Sequence, residues 1–238
     1  MKSTLQSVGL LLAGTIIFAS CRTVYAPNAV NVPLLQGKGE FKALIANNNL
    51  QVATAVTDHI GIMANGFLNN YTSDDKTFKN NGKGAEIGIG YFAHTDKRIT
   101  YEAYGGAGLY NVRIREDNNT KTLDTDAVKY FVQPSVGWVN QYFEVALSPR
   151  LSVLKYTKPE IVGYNSQERA DNFFDILDQK AHAFIEPTLT VRGGYRFVKL
   201  QVQYGYSYKV TKNNINDDSG IGSIGLIFDI GNWYKTTK

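Results

Sequence analysis

The sequence predicts an all-β protein, an antiparallel up-and-down transmembrane β-barrel of about ten strands. Three observations predict it. Apolar and polar residues alternate with period two from about residue 37 to the end. The links between alternating segments are in turn short and long. Aromatic residues gather near both ends of the segments. The 238-residue chain is rich in tyrosine (15), glycine (22) and phenylalanine (12), yet its bulk hydropathy is mildly polar. Barrels read this way because half of every strand faces polar contents.

Alternation places strands at 37–46, 50–57, 60–68, 84–92, 98–114, 128–138, 141–156, 181–192, 197–210 and 220–231. Four are clearest. In 128–138, Val128, Tyr130, Val132, Val136 and Trp138 oppose Lys129, Gln133, Ser135 and Gly137. In 141–154, Phe143, Val145, Leu147, Leu151 and Val153 oppose Glu144, Ala146, Ser148, Arg150 and Ser152. In 185–192, Ile185, Leu189 and Val191 oppose Glu186, Thr188, Thr190 and Arg192. In 200–209, Leu200, Val202, Tyr204, Tyr206 and Tyr208 oppose Gln201, Gln203, Gly205, Ser207 and Lys209. A soluble sandwich alternates too, so the links must decide. One turn of helix is expected near 170–177, inside a loop.

Links 69–83, 115–127, 157–180 and 211–219 are long, while 58–59, 93–97, 139–140 and 193–196 are short. Outer-membrane barrels have short periplasmic turns and longer outer loops. The link Asn47-Asn48-Asn49 breaks the rule by being short on the long side. An even strand count puts both ends of the barrel wall on the periplasmic side. Tyr91, Phe92, Trp138, Tyr142, Phe143, Tyr195, Phe197, Trp233 and Tyr234 form a girdle near the short turns. Tyr110, Tyr130, Tyr156, Tyr206 and Tyr208 form one toward the long loops. Pro134, Pro149 and Pro187 fall within strands. Proline cannot donate to a ladder, so bulges are expected there.

The N-terminus carries Lys2, an apolar run over 8–18, and then Ala19 and Ser20 before Cys21. This is the layout of a secretory signal, and it is too short to span a bilayer as a helix. Phe18-Ala19-Ser20-Cys21 resembles the lipobox of bacterial lipoproteins. The resemblance implies cleavage before Cys21, a diacyl thioether on it and acylation of its new amine. Two or three chains anchor stably where one is marginal. Cys21 is the sole cysteine, so no intramolecular disulfide forms. The expected organisation is a signal peptide over 1–20, an acylated cysteine and periplasmic tether over 21–36, and a barrel over 37–234. The lack of an acidic cluster after Cys21 favours an anchor in the periplasmic leaflet.

Little chemistry stands out. His59 and His94 lie in expected turns without metal-ligand spacing. His182 shares a face with Glu186, and a triad would require Ser148 or Ser152 within reach. The glycines of "YGGAGLY" and "GIGIGY" lie in strands with no following helix, so they relieve crowding rather than bind phosphate. The polar face collects Glu40, Lys42, Glu86, Glu102, Lys129, Glu144, Arg150, Glu186, Arg192 and Lys209. Mixed signs point to ion pairs filling a narrow lumen, whereas a selective pore shows one sign. The net charge of +4 is too mild to indicate nucleic acid. The apolar cluster Phe173, Phe174, Ile176 and Leu177 lies in an otherwise polar outer loop. It either contacts a partner or folds over the barrel mouth.

A lipobox followed by about ten hairpin-connected strands resembles the small outer-membrane β-barrel proteins of the Bacteroidota. That resemblance covers nearly the whole mature chain and implies fold and location, with outer-membrane lipids as surroundings. The expected role is non-enzymatic and cofactor-free: a structural accessory subunit contacting other outer-membrane proteins in secretion, uptake or barrel assembly. A small channel and a rim-located hydrolase are the alternatives.

Overall fold

A computed structural model describes residues 23–231, apart from 75, 96–97, 196 and 213–214. Signal residues 1–20 and Cys21 lie outside the described residues. The strands are β1 (Phe41–Ala46), β2 (Asn49–Ala55), β3 (Ile60–Thr72), β4 (Phe78–His94), β5 (Ile99–Glu116), β6 (Lys121–Val139) and β7 (Phe143–Val162). After helix α1 (Ser166–Asp171) come β8 (His182–Tyr195), β9 (Val198–Tyr206), β10 (Tyr208–Lys209) and β11 (Gly220–Asp229). Each strand from β1 to β8 pairs antiparallel with the next in sequence. β11 pairs with β9 and with β1, which closes the sheet. β10 prolongs β9 past Ser207 and pairs with β8. The result is the expected ten-strand barrel.

Burial runs opposite to that of a soluble protein. The exterior is apolar: Ile87 and Leu109 are each 69% exposed, and Val132, Leu151, Leu189 and Val202 are exposed beside them. The interior is polar, with Lys129 and Arg150 at 0% exposure. Leaving such a belt in water costs roughly 25 cal/mol for each Å². Covering it with lipid removes that cost. Among the described residues no helix is long and apolar enough to cross a membrane.

Several boundaries shift. β4, β6 and β7 are 17, 19 and 20 residues long, against the shorter segments that alternation marks. The Asn-, Lys- and Thr-rich stretches above the belt continue their hairpins as paired strand. They lack apolar alternation because water lies outside them. Tyr110 and Tyr156 do not join the outer girdle, nor Phe92 the lower one; all three point inward and are buried. Pleat parity decides this, since neighbours such as Tyr91 and Phe92 cannot both face lipid. The prolines need no bulge. Pro149 stands directly opposite Pro187, and Val132–Leu151 and Val136–Leu147 keep one register across Pro134. A missing donor interrupts the ladder, and the pairs on either side hold it. The register shift between β6 and β7 lies instead between Asp124 and Asp126.

The largest correction concerns the expected tether. The described chain begins at Thr23 near the long-loop mouth, where Asn80 Nδ2 donates to the Thr23 carbonyl at 2.6 Å. Val24 N–H donates to the Asn216 carbonyl at 2.7 Å, in the link before β11. From there it passes through the lumen and reaches the short-turn end near Gln36, where Gln36 Nε2 donates to Thr100. Val24, Tyr25, Val30, Val32, Leu34 and Leu35 are all at most 2% exposed. The segment is a plug, not a periplasmic tether.

Candidate functional site in the barrel lumen

An eight-stranded barrel is filled by its own side chains, and width grows with strand number. Ten strands leave room for one extended chain, and residues 24–35 take it. An extended segment inside a barrel must satisfy its amides without a strand beside it. Wall side chains supply the partners. Gln203 binds both groups of Val30, accepting from its N–H at 2.7 Å and donating to its carbonyl at 2.8 Å. Gln133 donates to the Asn31 carbonyl at 2.6 Å, and Arg192 to the Val32 carbonyl at 2.5 Å. Lys42 donates to the Leu34 carbonyl at 2.9 Å, and Glu102 accepts from Leu35 N–H at 3.0 Å. Pro27 and Pro33 lack an N–H and so remove two demands.

The charges sort into two clusters. The upper one joins Glu86 and Glu186 to Lys129 and Arg150, two of each sign. Arg150 Nη1 donates to Glu86 at 3.1 Å and Lys129 donates to Glu186 at 3.2 Å. The Arg150 guanidinium also lies 4.4 Å from the centre of the Phe131 ring. The plug is tied in through Asn28, which donates to Glu86 at 3.1 Å, and Tyr25, which donates to Glu186. The lower cluster sets Lys42, Arg192 and Lys199 against Glu40, Glu144 and Asp229. Arg192 reaches Glu144 at 2.7 Å. Every polar-face residue named from sequence except Lys209 is buried here. Lys209 sits higher, bonded to Asp217 at 2.8 Å.

Small residues make room for these contents. A Cβ on Gly106 would stand 2.2 Å from the Ile87 carbonyl oxygen and 2.4 Å from Phe131 Cζ. Gly106 of "YGGAGLY" therefore relieves crowding beneath a lumen ring, and the same holds at Gly90 under Tyr104, whereas a Cβ on Gly105 would meet nothing closer than 4.0 Å.

Above the plug the mouth is capped. Asn165 caps α1 through a reciprocal capping box with Glu168, and Lys121 reaches Glu168 at 2.7 Å. The helix occupies Ser166–Asp171, slightly before the expected turn, and Phe174–Ile176 form a short 3-10 turn. Phe174 and Leu177 are fully buried with Val24, Tyr25, Tyr164 and Phe184, so those two residues are not an exposed partner patch. The loop folds back because the hairpin rim offers an apolar socket. Phe173 and Ile176 remain half-buried beside it. His182 is buried and edge-on to Tyr156 at 5.9 Å. Ser152 Oγ donates to Glu186 at 3.3 Å, and that carboxylate is already held by Lys129 and Tyr25. The wall therefore brings Ser152 and Glu186 together in the ion network.

Sequence reasoning missed the plug. "VYAPNAVNVPLL" was its signal, since a solvated tether has no reason to be so apolar.

No protein-family model matches the chain, and no curated protein matches it. Solved structures with some likeness are transmembrane barrels. One is the translocator domain of the autotransporter NalP from Neisseria meningitidis, at 9% identity and a TM-score of 0.40, with 79% of this chain and 86% of that one covered. Another is in-vitro folded OmpT, an outer membrane protein of Vibrio cholerae, at 14% identity and a TM-score of 0.27, with 79% and 56% covered. The closed wall, apolar exterior and short turns at one end define this protein as an outer-membrane β-barrel.

Proposed function

We propose that the protein is a sealed, non-enzymatic outer-membrane lipoprotein that serves as a structural accessory subunit of a larger outer-membrane assembly. The observation that carries this reading is the plug: residues 24–35 fill the axis and are bonded to the wall along their length. A conduit for solutes would need that segment to leave, breaking the hydrogen bonds that tie it to Gln133, Arg192, Gln203 and Glu86. A closed barrel is useful instead as a fixed body in the membrane.

Within this reading an acyl anchor on Cys21 enters the outer leaflet, not the periplasmic one. Thr23 stands at the long-loop mouth, and two residues of chain span at most about 7 Å.

Full-length protein in planar bilayers is expected to pass no current, and a stable conductance would overturn the sealed barrel. A mild-detergent pull-down through a C-terminal tag tests the subunit role. Stoichiometric outer-membrane partners support it, and a lone monodisperse protein sinks it.

A further inference from the structure

We propose that the outer face of β4 and β5, above the apolar belt, binds the phosphate-bearing headgroup of an anionic outer-leaflet lipid. Lys79 and Arg115 are paired directly opposite each other on this face. Like charges in that position repel, at Cβ separations of about 5 Å, unless an anion lies between them. Lys83 projects from the same face four residues down β4, roughly 13 Å along the strand. None of the three cations has an acidic partner among the described residues. Their neighbour Arg113 does, bonding Asp124 at 2.6 Å.

The acids nearby are already engaged. Asp124 and Asp126 accept from Asn111 Nδ2 at 2.9 and 3.0 Å. They are the negative groups a bound anion would meet, and Asn111 and Arg113 offset them.

Directly below Lys83 the wall is notched. The short β1–β2 turn, Asn47-Asn48, leaves the rim low beside the tall β3–β7 wall. There a groove of about 820 Å³ has Ile45, Leu50, Leu68 and Leu109 on its floor, with Lys83 and Asp126 above. The floor is continuous with the lipid-facing belt, so its occupant is an acyl chain. Cations at headgroup height above an apolar groove match one molecule: a lipid with phosphate at its head.

The test uses full-length protein inserted in two kinds of vesicle, phosphatidylcholine alone and phosphatidylcholine doped with bisphosphorylated lipid A. Bound lipid is read by native mass spectrometry after detergent extraction. Wild type is expected to retain lipid A and no phosphatidylcholine. The triple variant Lys79→Ala/Lys83→Ala/Arg115→Ala is expected to retain at least tenfold less, with unchanged heat-modifiability on cold gels as proof of folding. Dephosphorylated lipid A is expected to be lost likewise, and inorganic phosphate alone to show no retention. Equal retention by variant and wild type, or of the dephosphorylated lipid, overturns the site. Failure to insert in either vesicle would instead overturn the transmembrane reading on which the site rests.

Discussion

Replacing Glu86 by alanine is expected to be the most damaging single change in the lumen. Glu86 accepts from Asn28 at 3.1 Å, from Asn65 at 2.9 Å, from Arg150 at 3.1 and 3.2 Å, and from Tyr110. Lys129 Nζ lies 3.9 Å away. The cluster is neutral with Glu86 and carries one uncompensated positive charge without it. Breaking a buried pair by removing one partner costs about 3–5 kcal/mol. A urea m-value of about 2 kcal/mol/M converts that into a midpoint lower by about 2 M. The assay is urea titration of vesicle-inserted protein, followed by loss of the heat-modifiable band. The double variant Glu86→Gln/Arg150→Met restores neutrality and should recover more than half of the loss. A Glu86→Ala midpoint within about 0.25 M of wild type would refute the reasoning, as would a double variant worse than either single one.

The remaining predictions test wall, packing and topology. Leu151 is 51% exposed and flanked by Val132 and Ile185, so Leu151→Arg should cost about 2–4 kcal/mol of insertion if it lies near the bilayer midplane, read by the same titration. Gly106→Ala should destabilise by about 1–3 kcal/mol through overpacking against Phe131. Gly105→Ala, whose Cβ meets nothing closer than 4.0 Å, should be silent in the same assay. An epitope inserted after Arg22 should bind antibody on intact cells, and one appended after Lys238 only after permeabilisation. Labelling in the opposite pattern would reverse the barrel in the membrane.

The barrel was legible in the sequence because its cause is local. Alternation at Val128–Trp138 or Leu200–Tyr208 follows from a pleat with lipid on one side and polar contents on the other. The mixed charges of Glu86, Lys129, Arg150 and Arg192 announced a filled lumen for the same reason. Strand ends were less legible, since Lys79 and Arg115 pair in a ladder above the apolar belt where nothing enforces alternation.

What the sequence by itself determined is therefore the strand count, the up-and-down order and, apart from Phe92, Tyr110 and Tyr156, which side chains face lipid. Tertiary structure alone decided what fills the axis. Two prolines and a lack of periodicity made residues 22–36 read as a linker, because hydrogen bonds from Gln133, Arg192 and Gln203 come from strands 100 or more residues away. It also decided the fate of Phe174 and Leu177. An apolar pair in a polar loop needs cover, and only the closed wall, with Val24 and Tyr25 already in its mouth, provides the socket that buries them.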